Sequence, residues 1–200
     1  MTLANSKRYF LKGLVAVMGG SAVAQLTAGN ALAVALSYES RKDSVTKAGK
    51  LFSQYQMEIL ADVCNVILPK TNTPSAAELD VHGFIDHQLV SCYSKAQQAQ
   101  GKVILNRIDQ LSQTHFSMAF SQLSFEQQTQ VLIAAEQQDL GFTANDEKLF
   151  KGLKSLVVFG FFTTEIGATQ ALSYQAVPGG FKGSIPYDSV GKSYGSLAYY

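Results

Sequence analysis

At 200 residues the chain has room for one domain with a true hydrophobic core, and 46% of its residues are hydrophobic. Its 16 basic and 15 acidic side chains nearly cancel, and the cations are scattered without interleaved aromatics, which gives no support to nucleic-acid binding. Two cysteines are too few for a disulfide-built scaffold.

The amino-terminal residues carry an address. Ser6-Lys7-Arg8-Tyr9-Phe10-Leu11-Lys12 precedes an uncharged, largely apolar run from Leu14 to Leu36, and Ala31-Leu32-Ala33 has the small-residue form of a cleavage site. Ser6, Lys7, Arg8, Phe10, Leu11 and Lys12 resemble the twin-arginine export signal, whose core is Ser-Arg-Arg-x-Phe-Leu-Lys, with Lys7 in place of the first arginine. Gly13, Gly19, Gly20, Ser21, Gln25, Thr27 and Gly29 dilute the apolar run, which suits passage of folded cargo over stable membrane residence. An ordinary secretory signal and an uncleaved anchor stand as alternatives, because Leu14–Leu36 is long enough to span a bilayer. Removing residues 1–33 takes three of the 16 basic side chains and leaves 13 against 15 acidic, a formal charge of −2.

Residues 34–50 read as a flexible leader, since Tyr38–Lys50 is polar. Residues 51–172 read as the helical domain. Ser53-Gln54-Tyr55-Gln56 has capping-box form, and Met57, Leu60, Ala61, Cys64, Ile67 and Leu68 recur at helical spacing until Pro69 ends the stripe. Ser75-Ala76-Ala77-Glu78 is a second cap. A helix follows from about Gly83 to Tyr93, with Phe84, Ile85, Leu89 and Val90 on one side, and another from about Lys95 to Thr114 that buries Ile104, Leu105, Ile108 and Leu111. Ser124-Phe125-Glu126-Gln127 caps a helix to about Asp139, with Val131, Leu132 and Ala135 inward. Thr143–Asp146 opens a last helix with a wide apolar face of Leu149, Phe150, Leu153, Leu156, Val157 and Phe161. No period-two strand appears, so the expected fold class is all-α: a single compact helical domain behind an export signal.

From residue 173 to 200 the pattern changes. Pro178-Gly179-Gly180, Gly183, Pro186, Gly191 and Gly195 interrupt any helix, which predicts an extended Gly/Tyr-rich arm. Its aromatics, Phe181, Tyr187 and Tyr194 among them, either fold back on the helices or anchor the arm on a partner.

Chemistry-bearing patterns are sparse. There is no dinucleotide fingerprint, phosphate loop, Gly-x-Ser-x-Gly or haem-attachment motif. His82 and Asp86 stand four apart on one helix face beside His87, a weak metal signal; the ordinary reading is helix-start bonding for the pair and solvation for His87. His115, beside Phe116 and Phe120, reads as packed, and Glu165 in Thr163-Thr164-Glu165-Ile166-Gly167 as a helix-start residue. No catalytic residue, metal ligand or cofactor-binding residue is assigned.

Several segments resemble one family. Val66-Ile67-Leu68-Pro69-Lys70-Thr71-Asn72-Thr73-Pro74-Ser75-Ala76 is similar to its Ile-Leu-Pro-x-Thr-Asp-Thr-Pro-Gly-Ala segment, with Asn72 for Asp and Ser75 for Gly. Val81-His82-Gly83-Phe84-Ile85-Asp86 is similar to the following helix start, and Phe161–Gln170 with the Pro178-Gly179 turn to the carboxy-terminal signature. The family is gluconate 2-dehydrogenase subunit 3, and the resemblance runs roughly from Leu51 to Pro186. It implies a non-catalytic small subunit whose large partner, a flavoprotein of the glucose–methanol–choline type, holds FAD and oxidises a sugar or sugar acid. It further implies a cytochrome c subunit as electron acceptor, passage through the twin-arginine translocase, and a periplasmic complex at the inner membrane. The alternative is a free-standing exported protein of the same fold serving another partner.

Export to an oxidising compartment makes Cys64 and Cys92 a natural pair. Three states stay open: an internal bridge closing a loop of about 28 residues, two free buried thiols, or a link to another chain.

Overall fold

The computed structural model describes residues 38–41, 43–173, 184 and 186–191, and among them there is no β-strand. Five α-helices make the domain: α1 Gln54–Ile67, α2 Val81–Cys92, α3 Lys95–Phe116, α4 Phe125–Gln137 and α5 Ala144–Phe162. Short 3₁₀ turns lie at Phe120–Gln122 and Tyr187–Ser189, and a π-helical turn at Gly167–Ala171.

Four of the five helices start on a reciprocal capping box. Ser53 with Gln56, Ser94 with Gln97, Ser124 with Gln127 and Thr143 with Asp146 each satisfy two backbone N–H groups that the first turn leaves without a carbonyl. α2 is the exception. The Ser75–Glu78 pair forms the same two bonds, Ser75 N–H to Glu78 at 2.8 Å and Glu78 N–H to Ser75 at 3.2 Å, but it closes a series of turns, and the helix begins at Val81. α1 stops at Ile67, one residue short of the Leu68–Pro69 junction, with the Leu68 N–H on the Cys64 carbonyl at 3.1 Å. α3 and α4 end on left-handed residues, Ser117 (φ 56°) and Gln138 (φ 59°), so the terminal carbonyls of both are closed without glycine.

α1, α3 and α5 pack on one another, and α2 and α4 each pack on those three. The core runs through them: Phe52, Met57, Leu60, Ile85, Ile108, Phe120 and Phe150 are all fully buried. The stripe expected on α1 is buried at Met57, Leu60, Ala61 and Cys64, half-buried at Ile67 and Leu68, and widened by Ile59 and Val63. α2 and α5 meet at Gly160, where a Cβ would lie 2.8 Å from Val81 Cγ1 and 2.9 Å from Phe84 Cδ1. Asp109 ties three elements together. It accepts from the Phe120 N–H at 2.9 Å, the Tyr55 hydroxyl at 2.7 Å and the Gln113 amide at 2.7 Å. Burial first, and the Asp109 bond second, push the Tyr55 hydroxyl up to about 12.

Two expectations need correction here. His115 is exposed, not packed, and its Nε2 lies 2.8 Å from the Leu140 carbonyl. The segment 34–50, read as a flexible leader, is bonded to the domain at Tyr38, Arg41, Ser44 and Lys50, whose hydroxyls and N–H groups are taken by buried acceptors on and beside α2.

Candidate functional site

The leader is held at two stations. The first is Asp80, the residue before α2. Its backbone is left-handed (φ 58°), its side chain makes no cap bond to the helix, and the residue is 4% exposed. The freed carboxylate turns to the leader and accepts from the Tyr38 hydroxyl, the Arg41 N–H at 2.6 Å and the Ser44 hydroxyl. The Tyr38 ring packs edge-on to Phe84, with centroids 5.8 Å apart. Burial, then the Asp80 bond, raise the Tyr38 hydroxyl well above the ordinary tyrosine range. The second station is Asp86, also 4% exposed, which accepts three consecutive backbone N–H groups: Lys50 at 2.6 Å, Leu51 at 2.9 Å and Phe52 at 2.9 Å. Two glycines make the approach close enough. A Cβ on Gly49 would overlap the Asp86 carboxylate, and one on Gly83 would overlap the Tyr38 hydroxyl and the Asp80 carboxylate.

His82 sits between the stations and is 2% exposed. Its Nε2 lies 2.8 Å from Ser44 Oγ and 3.3 Å from Asp80 Oδ1. Ser44 has one proton, which Asp80 takes, so Nε2 carries hydrogen and faces both oxygens. Burial pulls the ring below the usual histidine range, against the opposing pull of Asp80. The neutral ring then presents Nδ1 as a bare acceptor, and that atom has no hydrogen-bond partner among the described residues. The Ser44–His82–Asp80 trio is not a nucleophile relay. Such a relay uses one ring nitrogen for the serine and the other for the carboxylate, whereas here both face Nε2.

These placements correct the sequence reading of His82, Asp86 and His87. The first two make long-range bonds to residues 34 to 38 positions earlier, and only His82 keeps a local contact at the helix start, to Asp80. His87 is half-buried, with its ring 5.5 Å from Tyr38 and Nδ1 3.2 Å from Lys50 Nζ. Glu165 is exposed and leads into the π-helical turn. Among the described residues, no group of three or more His, Cys, Asp or Glu side chains is placed to hold a metal, and no helix is long and apolar enough to cross a membrane.

Cys64 and Cys92 are both free, the first buried and the second partly so. Burial raises the Cys64 thiol, and Cys92 is the last residue of α2. The internal bridge expected as one state is not formed in this structure.

A second surface lies where α2, α3 and α5 diverge. It is a groove of ≈ 570 Å³ lined by Leu89, Tyr93, Ile104, Leu149, Leu156 and Phe159 among others. Gln88 lines it as well, is 2% exposed, and has an Oε1 with no partner among the described residues. Gly152 lines the groove with no atom within 4 Å of where its Cβ would be. An amide oxygen buried without a donor at an apolar groove was not legible in the sequence. Of the arm residues, Tyr187 is 72% exposed on its 3₁₀ turn, while Phe181 and Tyr194 lie outside the described residues, as does the export signal.

The sequence profile of the family described as gluconate 2-dehydrogenase subunit 3 matches residues 54–179. The chain belongs to this family. The match begins at the first residue of α1 and takes in all five helices, both carboxylate stations and the groove, which makes the all-α domain the family unit. Membership accords with an accessory subunit of a dehydrogenase complex. No curated protein and no solved structure matches the chain.

Proposed function

We propose that the chain is the non-catalytic small subunit of an exported FAD-dependent dehydrogenase of the glucose–methanol–choline type, acting on a sugar or sugar acid. In this reading it escorts the folded flavoprotein through the twin-arginine translocase and then stays with it in the periplasm, with a cytochrome c subunit as electron acceptor. FAD belongs to the large subunit, and this chain binds no cofactor itself. A flavoprotein acquires its cofactor where it folds, so a partner carrying a signal for folded export solves a physical problem. Membership in the subunit 3 family is the observation that carries the reading.

The groove between α2, α3 and α5 is where the large subunit is proposed to dock, because partner burial would cover Leu149, Leu156 and Phe159. Gly152→Trp tests this cleanly. A Cβ at this position has no atom within 4 Å, Gly152 is exposed, and tryptophan is a better helix former than glycine, so the fold stays while the indole occupies the groove. The tagged wild-type chain should retain a flavin-absorbing partner from an envelope extract, and Gly152→Trp should lose it. A wild-type complex without flavin would overturn the proposal.

A further inference from the structure

We propose that residues 38–52 form a clasp that closes only on a completed α2, so that order in the amino-terminal segment depends on the folding of the domain behind it. The acceptors that hold the segment are not its own. Asp80 serves it only from the left-handed turn that opens α2, and Asp86 serves it from the second turn of the same helix. Neither carboxylate has a lysine or arginine within ion-pair distance among the described residues; what they hold is mainly backbone N–H and hydroxyl. A partly built α2 would present at most one station, and the two lie on different sides of the Gly83 contact with Tyr38. The clasp then runs without a break into Ser53, the cap of α1, since the Asp86 bonds end at Phe52. Closure therefore joins the amino-terminal segment, α1 and α2 in one event.

The consequence rests on the export reading above. An export signal at residues 1–33 precedes the clasp, so the chain that joins it to the domain is ordered only once α2 is in place, which ties presentation of the signal to a folded domain. The clasp itself can be tested without export.

Arg41 and Lys50 have exposed side chains on a backbone held by Asp80 and Asp86, so trypsin can reach the side chains but cleaves only when the backbone opens. In the full chain these two bonds should be cut slowly. Asp86→Asn, which weakens three charge-assisted bonds at once, should speed cleavage after Lys50 at least about tenfold, because cleavage tracks the population of the open form. Because Asp86 lies inside the domain, a second variant changes only the leader: Tyr38→Phe combined with Ser44→Ala removes two donors to Asp80, and cleavage after Arg41 should accelerate similarly while helical circular dichroism is unchanged. Wild-type cleavage at the rate of an unstructured peptide, or unaltered rates in the leader variant, would overturn the clasp. Faster cleavage in the leader variant with normal export of the same chain would keep the clasp and remove its link to export.

Discussion

Gly160 on α5 faces Phe84 on α2 so closely that a methyl group in its place would lie 2.9 Å from the ring. At this position α5 contributes no side chain, so the Val81 and Phe84 side chains of α2 lie directly against its backbone, and Phe84 is in turn the ring against which Tyr38 of the leader packs. Phe159, on the groove side of the same helix, lies 6.0 Å from Phe84. One glycine thus sets the spacing on which both the leader's seat and one wall of the groove depend.

Gly160→Ala should therefore destabilise the domain, despite alanine's better helix propensity. Overpacking costs roughly 1–3 kcal/mol, against a propensity gain of about 1 kcal/mol. Urea denaturation followed by circular dichroism should show a lower midpoint with an unchanged slope. A midpoint at or above wild type would mean that α2 and α5 separate freely, and the close crossing would lose its significance.

His82 should make stability depend on pH in a defined window. Its folded-state ring is pulled below the ordinary value of 6.5, first by burial, with Asp80 opposing. The unfolded chain then binds the proton more readily than the folded one. The histidine's contribution is intact above that ordinary value and is lost as pH falls toward the folded-state value. His82→Gln keeps a polar side chain at the site and should flatten the fall in melting temperature between neutral and mildly acidic buffer. If the variant falls as steeply as the wild type, another group carries the acid sensitivity.

Cys64 and Cys92 should behave as two separate thiols. Burial raises both, far more for the fully buried Cys64. A maleimide should label at most Cys92 in the native chain and both residues after denaturation without reductant. No labelling after denaturation would demonstrate a bridge and contradict the free state of both thiols. One label would point to a link with another chain.

The address at the amino terminus carries its own prediction. Replacing Lys7 and Arg8 by glutamine should keep both this chain and its flavoprotein partner in the cytoplasm, as read by fractionation and flavin content. A partner that still reaches the periplasm would end the escort reading.

Much of the helical frame was legible because its signals are local. Ser53, Ser124 and Thr143 announce helix starts through residues three positions on, and Pro69 announces an end through its neighbour. The break between α2 and α3 was legible at Tyr93–Lys95, but the Ser94–Gln97 box that caps α3 was not read there. The leader's role was hidden. Glu39, Arg41, Asp43, Lys47 and Lys50 give it the composition of a solvated tail, and those side chains are indeed largely exposed. What anchors it is mostly backbone N–H, a group that every non-proline residue carries, together with two carboxylates more than 30 residues away. Composition cannot register a bond whose donor is common to all residues. Gln88 is a similar case, since a glutamine in an apolar helix face looks like an ordinary surface residue until the groove around it is known.

Three of the four capping boxes are serine with glutamine, and none of those six side chains ionises. Only Thr143–Asp146 includes a titratable partner, and Arg107 stands 3.5 Å from that carboxylate. The capping boxes of α1, α3 and α4 are thus made of uncharged side chains, so added electrolyte or a swing in acidity finds no charge within the boxes themselves to screen or neutralise. A chain whose helices begin this way can move between two solutions of different ionic character without renegotiating where those helices begin.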